Sequence, residues 1–366
     1  MPKHGILDTE HQNAASQIEV SAINRELNAD SQITVPAIDR EPNAASQISV
    51  PAIDRKPERV SYAPLTPRLA LQLAAPHTWA ASVLPPFIAA GMAFACTGSL
   101  SITRAFVLLV ICVLMQSAVN TLNDYYDFVK GADTEDDNTE IEDATLVYNN
   151  INPKSALALG LGFLVVALVL GMYCIYCSGF ICLAIGAVGA FFVVFYSAGK
   201  TPISYLPLGE LVSGVVMGGL IPLACYQVLT GVFSWWPLLW SLPTIIGIGL
   251  IMQMNNTCDI EKDTTSRRKT LPMVLGREKS RKLYHVLLFI WILAIIVFVA
   301  VFFTGGWPIV IFMLFASIPL LKALVANPLL PQTRIAGMAQ ICSVNIVLGA
   351  FYGAAIFVSP LLVIVL

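Results

Sequence analysis

The sequence predicts an all-α polytopic membrane bundle, and three observations carry that prediction. Of 366 residues, 57% are hydrophobic and only 12% charged, with a mean hydropathy of +0.74, whereas about a quarter of an ordinary soluble domain is charged. The apolar residues gather into runs of about 20, the length that crosses a bilayer as a helix. The basic residues fall in alternate loops between those runs, as membrane topology requires.

Residues 1–67 precede the first run and read as a separate tail. Asn-Ala-x-Ser-Gln-Ile recurs from Asn13, Asn28 and Asn43, and Pro-Ala-Ile-Asp-Arg from Pro36 and Pro51. Each repeat has too few large apolar residues to bury, so disorder is expected rather than a packed solenoid. The opening residues lack the apolar core of a secretory leader, about seven residues or more.

From Trp79 onward about nine spans can be placed, near 79–98, 102–122, 155–176, 179–196, 208–230, 236–255, 284–303, 306–325 and 337–364, giving one domain over 68–366. Lys130, Lys154, Lys200, the block from Lys262 to Lys282, Lys322 and Arg334 share one side, and the opposite loops carry at most Arg104. By the positive-inside rule the rich side is cytoplasmic, with the N-terminus inside and the C-terminus outside.

Six of the eight cysteines sit in or beside apolar runs, where a thiol behaves as a small hydrophobe. Cys174 and Cys177 form a CxxC pair with no second pair and no nearby His, so packing is expected rather than zinc. The basic residues follow topology and form no stripe interleaved with aromatics, which argues against a nucleic-acid partner. No segment marks an obligate protein partner.

The acids are concentrated. Nine of 23 lie before residue 60, nine lie between Asp124 and Asp143, and none follows Glu278. Two clusters end long apolar runs: Asn120-Thr-Leu-Asn-Asp-Tyr-Tyr-Asp127 and Asn255-Asn-Thr-Cys-Asp-Ile-Glu-Lys-Asp263. Asn120, Asp124 and Asp127 are spaced i, i+4, i+7, and Asn255, Asp259 and Asp263 i, i+4, i+8, so on helices each set projects oxygens from one face. Carboxylates at the membrane edge are costly unless paired or coordinated. Hard oxygen ligands of this kind suit Mg2+, which takes a few carboxylates and completes its shell with phosphate oxygens.

Around this core lie further candidates. Asn123 and Asn256 neighbour the acids; Asp133 follows Lys130 through a Gly turn; Arg267, Arg268 and Lys269 supply cations for a diphosphate, or equally serve topology. Tyr196 and Lys200 share the same side, and Glu210 is the one acid between Asp143 and Asp259. Glu210 is either a helix-dipole partner or a group that orients a polar co-substrate.

In these residues the chain resembles the UbiA superfamily of intramembrane aromatic prenyltransferases: an NDxxD cluster after helix two, YxxxK after helix four and DxxxD after helix six, in that order. It is most similar to the 1,4-dihydroxy-2-naphthoate polyprenyltransferases of menaquinone synthesis, through Leu73-Ala-Ala-Pro-His-Thr78, Leu208-Gly-Glu210, Asn255-Asn256 and Lys269-Thr-Leu-Pro272. Cys258 stands where that group carries Arg. The resemblance covers residues 68–366. It implies transfer of a polyprenyl chain from its diphosphate to an aromatic acceptor, with Mg2+ on Asp124, Asp127, Asp259 and Asp263, extended by Asp133. Lys200 and Arg268 then assist departure, and Asn120, Asn123, Lys130, Tyr196, Asn255, Asn256, Lys269 and Glu210 contact substrates. It also implies a multi-pass protein of the bacterial cell membrane whose active site faces the cytoplasm. Within the same chemistry another quinone precursor, a porphyrin-type ring or a glycerol-phosphate lipid is the alternative acceptor. A polytopic transporter is the rival from another class, disfavoured because its acids would lie near the bilayer midplane.

Overall fold

The computed structural model describes residues 62–130, 145–197, 201–266 and 268–359, and the repeat tail lies outside them. The described chain is helical: α1 Pro67–Leu73, α2 Ala80–Thr97, α3 Ile102–Lys130, α4 Thr145–Asn149, α5 Pro153–Ser178, α6 Ile181–Ser197, α7 Gly209–Val215, α8 Ile221–Thr230, α9 Trp236–Trp240, α10 Leu242–Cys258, α11 Ile260–Thr265, α12 Leu271–Leu275, α13 Arg277–Val301, α14 Trp307–Ala326 and α15 Arg334–Phe357. Seven stretches are long and apolar enough to span: Ala80–Thr97, Ile102–Val129, Pro153–Ser178, Gly209–Thr230, Arg277–Val301, Thr304–Ala326 and Pro331–Phe357. Ile181–Tyr196 and Leu242–Cys258 are apolar and shorter. Together these account for the nine predicted runs.

The largest differences from the sequence reading are at helix ends. α3 continues to Lys130 and α13 begins at Arg277. In both the extra turns are polar, so a hydropathy window misses them although nothing in their sequence breaks a helix. Ahead of α1, Ala63 N–H donates to the Asn150 carbonyl at 2.9 Å, and Ala63 bridges Ile151.

α10 runs through the centre of the bundle, against α7, α13 and α15. Its neighbours come close because small residues face it. A Cβ on Gly218 would lie 2.6 Å from Ile245 Cα, and one on Gly214 2.6 Å from the Ile245 carbonyl oxygen. A side-chain amide ties the far side: Asn345 Nδ2 donates to the Gly247 carbonyl at 3.1 Å. Below it Tyr352 donates to the Trp240 carbonyl at 2.7 Å, closing an aromatic floor with Phe303.

Between α7 and α8 the fifth span takes one π-helical turn, Val216–Leu220. Pro222, just beyond, has no N–H for the carbonyl four residues back, and the wider turn accommodates the lost bond. Val216, Met217, Leu220 and Ile221 consequently bulge onto the wall of the central cavity.

The close crossing makes a test. Gly218→Ala should destabilise the detergent-solubilised protein by about 1–3 kcal/mol through overpacking, whereas Gly162→Ala, which meets nothing within 4 Å, should be neutral or mildly stabilising. Equal thermal midpoints for the two variants would refute the close-packed crossing.

Candidate active site

The loop into the first span is strained and pinned. Ala75, not a glycine, holds a left-handed φ of 47°, a conformation costing about 1 kcal/mol. α3 holds it there: Asn120 Nδ2 donates to the Ala74 carbonyl (3.0 Å) and to Thr78 Oγ1 (2.9 Å), and Thr121 donates to the Leu73 carbonyl (3.1 Å). Asn120 Oδ1 accepts from Gln116 at 3.2 Å. Asn120 therefore anchors this loop while itself lining the cavity.

A cavity of about 1170 Å³ runs through the bundle between α2, α3, α5, α6, α7–α8, α10 and α15. Along α3 its lining runs from Asp127 to Leu108, roughly 28 Å at 1.5 Å per residue. Most of its wall is apolar, including Met115, Leu164, Leu168, Phe192 and Ile248, and its far end is lined by Cys112, Cys174, Cys182 and Cys225. All eight cysteines are free, as packing residues should be. The near end is polar: Asn123, Asp124, Asp127, Tyr196, Asn255, Asp259, Lys262, Arg268 and Arg334. The two acidic motifs, more than a hundred residues apart in the chain, thus share one mouth.

The first motif lies on one face of α3, as its spacing predicts. Asp127 accepts from Asn123 Nδ2 at 2.9 Å and pairs with Arg268 at 3.5 Å. Asp124 is 4% exposed and accepts the Thr145 N–H at 2.9 Å, holding the start of α4.

The second motif departs from its predicted single helix face. α10 ends at Cys258, Asp259 (ψ 14°) leaves α geometry, and α11 restarts at Ile260. Asp259 stays on the cavity, paired with Arg334 at 3.1 Å. Asp263 turns behind the wall, 2% exposed, and accepts from Thr270 at 2.8 Å. Asn255 faces the cavity with a buried Oδ1 that no protein donor meets. Asn256 lies behind it and donates to Glu210 Oε1 at 2.8 Å, leaving Glu210 Oε2 buried without a donor. Cys258 is fully buried, 3.9 Å from the Met254 sulfur, and is not part of the cavity wall.

Arg268 lies 5.1 Å from the Tyr205 ring centre. Burial opposes its charge, but Asp127 and Tyr205 together hold its pKa above the usual value. Lys269 is exposed outside the cavity and contributes its backbone N–H to the Tyr205 carbonyl at 3.0 Å. Lys130 ends α3; its side chain, Asp133, Lys200 and Arg267 lie outside the described residues. In the sequence Arg334 marks only topology, and nothing in one dimension joins Tyr205 or Thr270 to the acids.

Burial raises the proton affinity of Asp259, against the opposing pull of Arg334 and Lys262. Burial also lifts Asp263 from 3.8 to about 6, with the Thr270 hydrogen bond and Arg268 opposing it. Among the described residues no three carboxylates converge tightly enough to enclose a metal by themselves. The oxygens present nevertheless fit Mg2+, which takes one or two carboxylates and leaves the remaining positions to water and phosphate. The orphaned Asn255 Oδ1 is a further hard oxygen at the same mouth.

Asp263 generates a pH test on the metal-free protein. Because its folded pKa lies above the unfolded value, its contribution to stability is present below pH 3.8 and lost as pH rises through about 6. Thermal midpoints of wild type should fall relative to Asp263→Asn across that window, and parallel profiles would refute the buried, proton-retaining carboxyl.

Solved structures share the fold. A UbiA homolog from Archaeoglobus fulgidus bound to GPP and Mg2+ superposes with a TM-score of 0.52 at 18% identity, covering 79% of this chain and 99% of that one. The UbiA homolog of Aeropyrum pernix gives 0.55 at 15% identity, over 76% of this chain and 97% of that one. In sequence, 1,4-dihydroxy-2-naphthoate octaprenyltransferase of Bacillus subtilis is 30% identical over 79% of this chain and 92% of its own length. The human UbiA prenyltransferase domain-containing protein 1 is 28% identical over 78% and 82%. The sequence pattern of the UbiA prenyltransferase family matches residues 83–329. That match takes in both acidic motifs and most of the spanning helices, and the chain belongs to the UbiA prenyltransferase family.

Proposed function

We propose that the protein transfers a polyprenyl chain from its diphosphate to the ring of 1,4-dihydroxy-2-naphthoate, in the bacterial cell membrane with the mouth of the cavity toward the cytoplasm. The observation that carries this reading is the cavity itself: a long apolar bore whose one polar end gathers Asp127, Asp259, Asn255, Arg268 and Arg334. An isoprenoid tail fits the bore, and a diphosphate headgroup fits the end where acids and arginines alternate. The naphthoate assignment follows the similarity to the Bacillus subtilis octaprenyltransferase. The repeat tail before Tyr62 is given no part in the reaction.

Asp127 and Asp259 would hold magnesium, with Asn255, Asn123 and Asp124 beside them and Asp263 behind, the metal supplying positive charge to the leaving diphosphate. The raised proton affinity of Asp259 and Asp263 marks a place where further positive charge is favourable. Arg268, joined by Lys200 if the resemblance holds, donates to the diphosphate oxygens as the allylic carbon–oxygen bond breaks and its electron pair leaves with the diphosphate. The apolar wall excludes water from the allylic cation, which would otherwise be quenched to an alcohol. The ring carbon bearing the carboxylate then bonds the allylic carbon, and the electron pair of the broken ring–carboxylate bond stays with the ring as carbon dioxide departs. Glu210, held by Asn256 with one oxygen unmet, lies behind the cavity wall, and the resemblance would give it the part of orienting the acceptor's hydroxyls.

Two measurements test the reading. Given a polyprenyl diphosphate, Mg2+ and a panel of acceptors, the purified protein should form prenylated naphthoquinol with release of carbon dioxide and use 4-hydroxybenzoate poorly. A clear preference for another ring would overturn the acceptor while leaving the transfer chemistry. Asp127→Asn should lower turnover by at least about a hundredfold in protein that still extracts and melts normally. Near-normal turnover in that variant, or full activity in chelator, would remove the metal-assisted mechanism.

A further inference from the structure

Arg334 is the first residue of α15 and lines the polar mouth beside Asp259. The chain around it is built to hold it. Asn327 Oδ1 accepts from the Leu329 N–H (2.9 Å) and from Thr333 Oγ1 (2.9 Å), while Asn327 Nδ2 donates to Gln340 at 2.9 Å. Leu329, fully buried, is kept at a left-handed φ of 55°. Its carbonyl accepts from Arg277 at 2.8 Å, and the same guanidinium pairs with Glu261 of the second motif. A non-glycine residue persists in that conformation only when its surroundings over-determine it, so this turn fixes where α15 begins.

The outcome is a matched pair of contacts. Arg268 meets Asp127 of the first motif at 3.5 Å, and Arg334 meets Asp259 of the second at 3.1 Å. Both arginines are largely buried, both lie on the cavity wall, and both approach carboxylate oxygens suited to a hard cation. A guanidinium and a metal cannot both take the same oxygens of Asp259, but a guanidinium also matches phosphate in a bidentate fork.

We propose that Arg334 is a diphosphate-binding residue that pairs with Asp259 until substrate arrives and passes to the diphosphate when the metal-bound substrate enters. This rests on the transferase reading and gives the second motif the same kind of partner that Arg268 gives the first. An arginine that merely braces Asp259 behaves differently, because its loss would weaken cation binding as well as substrate binding.

The full-length protein in detergent separates the two. Mn2+ binding is followed by electron paramagnetic resonance without substrate, and geranyl S-thiolodiphosphate binding by calorimetry with saturating Mg2+. Arg334→Gln should weaken the thiolodiphosphate by roughly ten- to a hundredfold, while Mn2+ binds as in wild type or more tightly because Asp259 is no longer occupied. Arg334→Lys should recover part of the lost affinity, and it carries the same comparison if the glutamine variant does not fold. Unchanged thiolodiphosphate affinity, or parallel loss of both ligands, would overturn the proposal. Wild-type protein that binds the thiolodiphosphate normally yet prenylates no aromatic acceptor would overturn the aromatic-acceptor reading and leave Arg334 in its role. Wild type that fails to bind it at all would overturn both.

Discussion

Carboxylates packed into the end of an apolar bundle have to be given partners, and the architecture of this protein's polar mouth follows from how that is done. Asp124 takes the backbone N–H of Thr145, Asp127 takes Arg268, Asp259 takes Arg334, Asp263 takes Thr270, and Glu210 takes Asn256. The partners come from turns and helix ends, Arg268 and Thr270 from the same one, so the acids determine where those segments sit. α4 begins where Asp124 can reach its first N–H. The turn before α15 is braced so that its first residue reaches Asp259.

The compensation is incomplete, and that is the functional point. Burial still raises Asp259 and Asp263 above the usual carboxylate range with two arginines nearby, and Asn255 Oδ1 and Glu210 Oε2 remain without protein donors. Such a mouth is stabilised by an entering cation and by a ligand with hydroxyl or phosphate groups, while the bore behind it offers apolar surface alone. On the proposed function, tail, headgroup and metal would be recognised by three kinds of physics along one axis: burial of hydrocarbon, charge-assisted hydrogen bonds, and hard-oxygen coordination.

Much of this was legible in one dimension where the governing rule is local. The nine runs became helices because a chain in hydrocarbon must satisfy its backbone internally, and the first motif shares a face because i, i+4, i+7 spacing survives on an unbroken helix. The second motif shows where such reasoning ends. Its spacing predicts one face, yet the turn at Asp259 sends Asp263 behind the wall to Thr270. Asn120 was legible as polar and placed near the site, but its amide is committed to the strained Ala74–Thr78 loop. Cys258, which stands where the resembling group carries Arg, is a buried core residue.

By itself, then, the sequence determined the membrane class, the order of the spans, and the residue types gathered at their ends. All of these follow from hydropathy, charge alternation and helical periodicity, which act over a few turns of chain. Only the tertiary structure decided which acids face the cavity, which are held behind it, and that Arg334 meets Asp259 across 75 residues of sequence. Those outcomes depend on the close approach of α10 to its neighbours through Gly214 and Gly218 and on a braced turn at Leu329. Both are long-range steric facts for which no local pattern of residues is a sign.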